Sequence, residues 1–431
     1  MLMDHIPEVR AVAAKAIGSL VRGMGEQAFP TLVDDLLDRA CPPTGDLDEY
    51  GNEVAVSSTT VERAGAAQGL SEVVAGLGMD RFADLMDNLL ERSQDVRASV
   101  REGVLSIFVY MPQACETPDE FEPFIADSLP PVLSGLADEG ESVRDIALRA
   151  AKVLVEIYGK SALDLLLPAL QERLFDEDWR IRLSAVQLLG DLLYKLTGAS
   201  GKAVMDEDEA GLGTASTQKA LIIALGEIRR NDVLGALYML RSDPSHAVGH
   251  AANHVWKSVV VNPPKTLKEI MKEMMSMIID SMASDNEDFQ VLAGAALGDL
   301  VHKMGDSVLP MVLPILMTGI QDEDPVKRQG ICLGLGQVIK ASTKQMIDEF
   351  VEDFIPPVKY ALFDEDEFVR EVRFILCFHT LFERLLNAEV DEFDRPPHRP
   401  SVLCIVTLRY QNHTKTRNCA SKSHKNEKFC I

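Results

Sequence analysis

Residues 175–193 read FDEDWRIRLSAVQLLGDLL, and this stretch decides the fold that the sequence predicts. The acidic residues 176–178 come directly before Trp179 and Arg180. The apolar residues that follow recur every three or four positions, as on one face of an α-helix: Leu183, Val186, Leu189, Leu192 and Leu193. Acidic side chains ahead of a helix cap its free N–H groups and complement its dipole. The stretch therefore predicts an acidic turn followed by an amphipathic helix.

The same step recurs along the chain: an acidic or polar residue, a bulky residue and a basic residue, and then a helix. The stretches that carry it are 7–21, 60–74, 94–108, 141–155, 177–193, 246–260, 287–301, 324–340 and 367–382. Aligned on the basic position, they place in register Arg10, Arg63, Arg97, Arg144, Arg180, Gly249, Gln290, Lys327 and Arg370. Most spacings lie near roughly forty residues, the length of a HEAT or armadillo unit.

A second helix precedes the step in most units. Examples are 29–40, 121–138, 161–178, 306–324 and 348–366. Apolar residues recur there at helical spacing, and no alternating strand pattern competes with it. Two helices and an acidic turn make one hairpin. The sequence thus predicts an all-α, HEAT- or armadillo-like solenoid of about eight to nine helical hairpins.

The basic residue of the step has a predicted structural role. In a solenoid each hairpin buries its face on its neighbours instead of on a separate core. We expect the basic side chain of one unit to reach the acidic turn of the next. The stacked units would then share a ladder of ion pairs.

The repeat array is predicted to cover residues 1–390. Flexible inserts are expected at about 41–59 and 197–217, where proline, glycine and acidic residues interrupt the pattern. Residues 391–431 follow no repeat; from Arg395 onward, eight Lys and Arg residues stand against Glu427. This end predicts a basic, disordered tail unrelated to the repeats. Because the chain opens within a repeat, we expect a fragment of a longer array.

The composition excludes several classes of protein. A formal net charge of −24 over 431 residues repels phosphate backbones, which argues against broad nucleic-acid binding and specific DNA recognition. The seven cysteines contain no CxxC pair, which is typical of free thiols in a reducing compartment. No apolar run is long enough to span a membrane, and no signal peptide opens the chain. We therefore expect a cytoplasmic protein that does not bind membranes.

No catalytic or cofactor motif is present in the sequence. It lacks a Walker loop, a GxSxG elbow, a kinase signature set and any His-Glu dipeptide. His246, His250 and His254 share one predicted helix face, which is either a metal site or an exposed histidine face. The methionines of 267–284 form either core or an adaptable partner groove. We predict no enzyme activity, no cofactor and no metal site.

Two groups of arginines are candidate partner contacts. Arg229, Arg230 and Arg241 follow the second insert and form the densest basic region of an otherwise acidic body. The alternative interpretation is a solvated helix end. Arg180 and Arg182 are a second candidate surface, for which stacking of helix pairs is the alternative.

Several strings resemble the general control non-derepressible protein 1 family of large HEAT-repeat translational activators. They are residues 9–26, 65–78, 143–154, 175–193, 235–243, 254–260 and 328–339. The resemblance covers roughly residues 7–386 and stops before the basic tail. It implies a scaffold that binds ribosomes or ribosomal proteins and engages the kinase of the initiation factor two α subunit during amino-acid starvation.

The family resemblance assigns no single residue of this chain to a partner. The kinase-contacting repeats of that family lie further toward its C-terminus. The alternative function is a generic HEAT-repeat scaffold or transport adaptor that binds soluble protein partners. That alternative predicts no association with ribosomes.

Overall fold

The structure is a computed structural model, and it describes residues 1–42, 59–198, 215–362, 364–366 and 369. Over these residues the secondary structure is helical, with no strand. The chain divides into two compact units, Met1–Leu297 and Gly298–Ile431. The predicted tail at 391–431 lies outside the described residues, so its character stays a prediction.

The first unit is a succession of helices joined by short turns. In chain order they are α1 (Pro7–Met24), α2 (Leu32–Ala40), α3 (Thr60–Leu77), α4 (Met79–Arg92), α5 (Ala98–Ala114), α6 (Ile125–Gly135), α7 (Glu141–Tyr158), α8 (Leu163–Arg173), α9 (Trp179–Thr197), α10 (Ala215–Leu240), α11 (His246–Val259), α12 (Pro263–Glu269) and α13 (Met271–Met282). Helix α14 (Glu287–Met304) begins in this unit and ends in the second.

Consecutive helices of the first unit pack as hairpins. The pairs are α2 with α3, α4 with α5, α6 with α7, α8 with α9 and α10 with α11. The second helices of the hairpins also pack on one another in order: α1 on α3, α3 on α5, α5 on α7, α7 on α9 and α9 on α11. Each hairpin buries its apolar face on its neighbours, which defines a solenoid. The predicted all-α HEAT-like fold is confirmed.

The second unit repeats this arrangement. It contains α15 (Leu309–Gly319), α16 (Pro325–Ala341), α17 (Lys344–Glu349) and α18 (Val351–Leu362). Helix α15 packs on α16 as a hairpin, and α18 contacts both of them. The predicted unit at 367–382 falls almost wholly outside the described residues.

Local sequence signals explain where the helices begin. Asp178 caps α9, since its carboxylate accepts the N–H of Arg180 at 2.8 Å. Asp324 caps α16 in the same way through Val326. Thr59 starts α3 with a reciprocal capping box. The acidic turns that the sequence pattern picked out therefore supply acceptors for helix N–H groups that lack an internal partner.

Two glycines are required by geometry. A Cβ added at Gly103 of α5 would lie 1.9 Å from the carbonyl oxygen of Ala40, so only glycine permits this close approach of helices. Gly226 has φ +75 and divides α10 into two helical segments. The segment after Gly226 leads into the hairpin with α11, and the segment before Gly226 comes ahead of that hairpin in the chain.

The end residues of both predicted inserts belong to the packed or helical structure. Cys41 is fully buried and Thr59 caps α3, so both ends of the 41–59 stretch belong to the packed structure. Thr197 still belongs to α9, and α10 already begins at Ala215. The remainder, residues 43–58 and 199–214, lies outside the described residues.

Candidate functional site

A repeated arginine contact joins successive turns at several hairpins. The guanidinium of Arg101 on α5 donates from Nη1 to the carbonyls of Asp95 and Val96, both at 2.8 Å. Its Nε and Nη2 donate to the carboxylate of Asp138 at 2.6 and 2.8 Å. One side chain thus joins the turn that begins its own helix to the turn of the following hairpin.

The same geometry recurs in other hairpins. Arg182 donates to the carbonyls of Asp176 and Glu177 and to the carboxylate of Asp243. In the second unit, Arg328 donates to the Asp322 carbonyl and pairs with Asp364 at 2.7 and 2.9 Å. The expected ladder of ion pairs therefore exists within the described parts of both units.

The ladder agrees with the sequence alignment at some positions and departs from it at others. The alignment placed Arg97, Arg180 and Lys327 in the bridging row, whereas the bridging side chains are Arg101, Arg182 and Arg328. Each bridging arginine lies six residues after the turn residue whose carbonyl accepts its Nη1, and these turn residues are Asp95, Asp176 and Asp322. The spacing from the turn therefore marks the row, and the position next to the bulky side chain does not.

Arg10 and Arg144 occupy the same row at the same spacing. Their Nη1 atoms donate to the carbonyls of Asp4 and Asp138 at 2.8 and 2.6 Å. Gln290 reproduces the contact without a charge, since its amide donates to the carbonyl of Ser284 at 2.8 Å. The backbone contact is therefore more widespread than the ion pair.

Neighbouring hydrogen-bond donors lower the pKa values of two turn aspartates. Burial alone would raise the pKa of Asp138, but hydrogen bonds from Arg101 and from the Gly140 N–H lower it below its ordinary value. The pKa of Asp95 is lowered chiefly by its hydrogen bond from Arg97. Both shifts favour the ionised carboxylate, and for Asp138 this is the form that its ion pair with Arg101 needs.

Arg63 of α3 forms an ion pair with a residue of another helix. It pairs with Glu102 of α5 at 2.9 Å, and the two side chains are only 6% and 2% exposed. The contact joins α3 to the next second helix directly. A buried pair of this kind favours one register between the helices, because either charge alone would be strongly destabilised.

The two arginines predicted near the opening stretch have opposite surroundings. Arg182 is buried, at 3% exposure, in its pair with Asp243. Arg180 is 54% exposed, and its guanidinium lies 4.9 Å from the ring centroid of Trp179. The structure thus gives Arg182 a packing role and leaves only Arg180 accessible to a partner.

The three arginines after the second insert also separate by exposure. Arg229 is 53% exposed and pairs with the exposed Asp164. Arg230 is 3% exposed and donates to Glu269 at 2.9 Å and to Asn231 at 3.1 Å. Arg230 therefore fastens α10 to the end of α12, and Arg229 alone of this pair projects to the surface.

Arg241 is held by aromatic rings. Its guanidinium carbon lies 5.0 Å from the Tyr238 ring centroid and 5.6 Å from that of Trp256. Its Nε donates to Asn253 at 3.1 Å. These contacts stack the guanidinium on rings of α10 and α11 and use one of its five N–H donors. Partner binding at Arg180 and Arg229 stays a prediction, and for Arg182, Arg230 and Arg241 the geometry favours packing.

Comparison with known proteins identifies the relatives of this array. Residues 63–199 match the family described as EF3 N-terminal HEAT repeat. The human protein named stalled ribosome sensor GCN1 is 41% identical over 374 residues, which is 86% of this chain. The Dictyostelium discoideum protein named eIF-2-alpha kinase activator GCN1 is 39% identical over 90% of this chain. Over the segment that it shares with them, the chain belongs to the GCN1 family.

The chain corresponds to a small part of these relatives. It spans 13% of the human GCN1 protein and 14% of the Dictyostelium protein. The Arabidopsis thaliana protein ILITYHIA is 45% identical over 72% of this chain and is covered to 11% of its length. The similarity therefore describes one stretch of a much longer GCN1 protein.

Likeness to solved structures is weaker than this sequence similarity. A crystal structure of importin beta matches 87% of this chain and 47% of its own chain at 13% identity, with a TM-score of 0.37. Yeast importin-beta (Kap95p) matches 80% of this chain and 40% of its own at 14% identity, with a TM-score of 0.31. Scores this low carry no argument, so the fold of the GCN1 segment rests on its own helical hairpins.

The sequence did not point to an apolar surface beside Arg229. Ile223 and Ile228 are 84% and 72% exposed on either side of the Gly226 kink. Leu165, which follows the partner of Arg229, is 46% exposed. Being five positions apart, the two isoleucines would point about 140° apart around a straight helix, and the break at Gly226 places them in two separate helical segments.

The methionine and histidine candidates differ in burial. Met271, Met274, Met275 and Met282 are at most 5% exposed, so the methionine helix is core. His254 lies within 3.3 Å of the Tyr194 hydroxyl. In the described ranges no group of three or more His, Cys, Asp or Glu residues is placed to hold a metal ion. No helix there is long and apolar enough to cross a bilayer.

Proposed function

We propose that this chain is a segment of a non-enzymatic scaffold that associates with ribosomes or ribosomal proteins. Through that association it would promote activation of the kinase that phosphorylates the α subunit of initiation factor two in amino-acid starvation. The carrying observation is the 41% identity to human GCN1 over 86% of this chain. That relative is named a stalled ribosome sensor, and the Dictyostelium relative an eIF-2-alpha kinase activator.

The architecture of the first unit supports a scaffold role. Second helices stack in order from α1 to α11. The Arg101–Asp138 and Arg182–Asp243 pairs tie successive turns together. A stack whose successive helices pack on one another and are joined by such pairs holds surface residues at set distances along its length, which is what a scaffold for a large particle requires.

Two exposed arginines are the proposed contacts. Arg180 is 54% exposed beside Trp179, and Arg229 is 53% exposed and directly follows the exposed Ile228. Each combines a cation with exposed aromatic or aliphatic surface, the composition enriched at protein interfaces. In a chain of net charge −24, contact with ribosomal proteins is favoured over contact with bare ribosomal RNA.

The test is sucrose-gradient co-sedimentation of the purified chain with ribosomes at low and moderate salt. The expected result is binding that survives moderate salt. Removing both arginines in an Arg180→Ala, Arg229→Ala variant should then weaken it about tenfold or more, as for loss of two interface hot-spot side chains.

A matched control separates a specific contact from a general loss of charge. Arg22 is also 53% exposed and also pairs with an exposed acid, Glu116. Arg22→Ala removes the same charge from the same kind of surface pair and should leave binding unchanged. Absence of ribosome binding at low salt, together with capture of a soluble partner, would overturn the proposal in favour of a transport or scaffold adaptor.

A further inference from the structure

The connection between α5 and α6 contains an exposed threonine that the proposed function does not use. Thr117 is followed by Pro118, and no other Ser or Thr in the 431-residue sequence directly precedes a proline. Both residues are exposed to solvent. An accessible hydroxyl followed by proline is the minimal signal by which a proline-directed protein kinase selects its acceptor.

The backbone at Thr117 already has the conformation in which a kinase binds its acceptor. Its φ of −129° and ψ of 147° are extended, and Cys115, two residues earlier, is extended as well. Proline disfavours the helical conformation in the residue before it, so Pro118 helps to hold Thr117 in this form. Because protein kinases bind the acceptor segment as an extended chain, Thr117 would enter the cleft without a change at its own backbone.

Pro118 indicates the class of kinase. An ordinary residue after the acceptor would bury its backbone N–H in the kinase pocket, which costs free energy unless the pocket supplies an acceptor. Proline has no N–H. A pocket that lacks an acceptor therefore admits proline and excludes other residues, and this is how a proline-directed kinase discriminates.

The hydroxyl of Thr117 is held only weakly. Its Oγ1 donates to one carboxylate oxygen of Glu120 at 3.5 Å, which is long for a hydroxyl donor. The other oxygen of that carboxylate accepts the N–H of Glu116 at 3.1 Å. The 3-10 helix that follows, Pro118–Glu120, is three residues long. Few contacts would therefore have to open for the oxygen to reach a bound nucleotide.

The charges beside Thr117 narrow the class further. Asp119 and Glu120 follow Pro118. The basic side chain of Arg22 lies beside this connection, but it is engaged by Glu116 at 2.7 Å. A kinase that selects basic residues next to its acceptor would find none in the segment 115–121. The segment fits a kinase for which the proline is sufficient.

We propose that Thr117 is the phosphate acceptor of a proline-directed Ser/Thr protein kinase. Oγ1 attacks the γ-phosphorus of the kinase's Mg²⁺-bound ATP, its proton passes to the carboxylate base of the kinase, and ADP leaves with the electron pair of the broken P–O bond. The phosphate adds a charge of about −1.5 to −2 beside Glu120. Phosphorylation of Thr117 would not require association with ribosomes.

The test is incubation of the full chain with Mg²⁺, γ-labelled ATP and a kinase of the mitogen-activated class, which requires proline after its acceptor. We expect stoichiometric labelling of the folded chain, placed on Thr117 by peptide mass spectrometry. Thr117→Ala should abolish the labelling, and Thr117→Ser should retain it. Pro118→Ala keeps the hydroxyl but removes the determinant, so it should also abolish labelling by this kinase.

Thr31→Ala is the matched control. Thr31 is likewise exposed, and its hydroxyl likewise donates to a carboxylate, that of Asp35 at 3.0 Å, but proline precedes it instead of following it. This variant should be labelled as the unaltered chain is. Equal labelling of Pro118→Ala would mean a kinase that reads only the acidic residues and would overturn the proposal. So would labelling of a synthetic 111–123 peptide without labelling of the folded chain, labelling at other residues alone, or none at all.

Discussion

Arg182 and Asp243 lie 61 residues apart and form a two-pronged ion pair, with Nε–Oδ2 at 2.8 Å and Nη2–Oδ1 at 3.0 Å. The two side chains are 3% and 0% exposed. The stretch between them includes residues 199–214, one of the two inserts that interrupt the repeat. The pair therefore preserves the step from α9 to the following hairpin although the sequence spacing of the ladder is lost there.

Removing the buried guanidinium should be costly. In an Arg182→Met variant the Asp243 carboxylate stays buried and loses its cation, which typically destabilises by about 3–5 kcal/mol. Urea unfolding followed by tryptophan fluorescence measures this, because Trp179 precedes Arg182 and Trp256 lies on α11. Arg180→Met is the control: its side chain is 54% exposed, so a change below about 1 kcal/mol is expected. Equal effects of both variants would contradict the packing role of Arg182.

The ladder should weaken in acid. The pKa of Asp138 in the folded chain lies below its ordinary 3.8, because Arg101 and the Gly140 N–H outweigh the effect of burial. Its stabilising contribution is therefore present above that ordinary value and is lost as the pH falls through the folded pKa. Thermal unfolding of the unaltered chain and of Asp138→Asn should differ most above about pH 5 and converge in stronger acid. Glu139→Gln, in the same turn but exposed, should show no such convergence.

Asp191 on α9 should show the opposite dependence. Burial raises its pKa, and Lys152 compensates only in part. A carboxyl group with a raised folded pKa favours folding at low pH, and this contribution is lost as the pH rises through the folded value. Asp191→Asn should consequently raise Tm at pH 7, and the gain should vanish in acid. Asp145→Asn, at an exposed position of α7, is the reference; a loss of stability in Asp191→Asn at pH 7 would argue against this account.

Gly103 should not accept even alanine. The added Cβ would lie 1.9 Å from the Ala40 carbonyl oxygen and 2.9 Å from the Cys41 sulfur, so α5 must shift. Overpacking of this kind costs about 1–3 kcal/mol, read from urea unfolding. Gly23→Ala is the matched control, since nothing lies within 4 Å of that position on α1. Alanine should be neutral or slightly stabilising there because it favours helix.

The described cysteines should differ in reactivity. Burial raises the pKa of Cys41 and of Cys332 to about 12, whereas the pKa of the partly exposed Cys115 rises to about 11. Since the thiolate is the nucleophile, alkylation at pH 8 resolved by peptide mass spectrometry should modify Cys115 first. Cys41 and Cys332 should react only after urea is added, and rapid labelling of Cys41 in the native chain would contradict its burial.

Much of the fold could be predicted from the spacing of residues. Helical periodicity and a recurring acidic turn indicated helical hairpins, and the turn residues do cap helices, as Asp178 and Asp324 show. The bridging row was harder to predict, because Arg180 and Arg182 both follow the same turn. The signal that separates them is local: Arg182 lies six residues after Asp176, the spacing that the other bridging arginines share, whereas an alignment on the bulky residue selects Arg180.

The candidate contacts were harder to predict than the fold. Arg229 and Arg230 are adjacent in sequence, yet one is 53% and the other 3% exposed. Charge density along the chain identifies a basic region without showing which cation a neighbouring carboxylate has neutralised. Glu269, which neutralises Arg230, is 39 residues away.

The sequence by itself determined the class of architecture, the positions of the acidic turns and the membership of the GCN1 family, because each of these is recorded in local order and spacing. Only the tertiary structure decided which carboxylate each bridging arginine meets and which of the neighbouring cations Arg229 and Arg230 is buried. Those features depend on contacts between residues far apart in the chain. Their energies arise from burial and charge pairing that exist only once the hairpins stack.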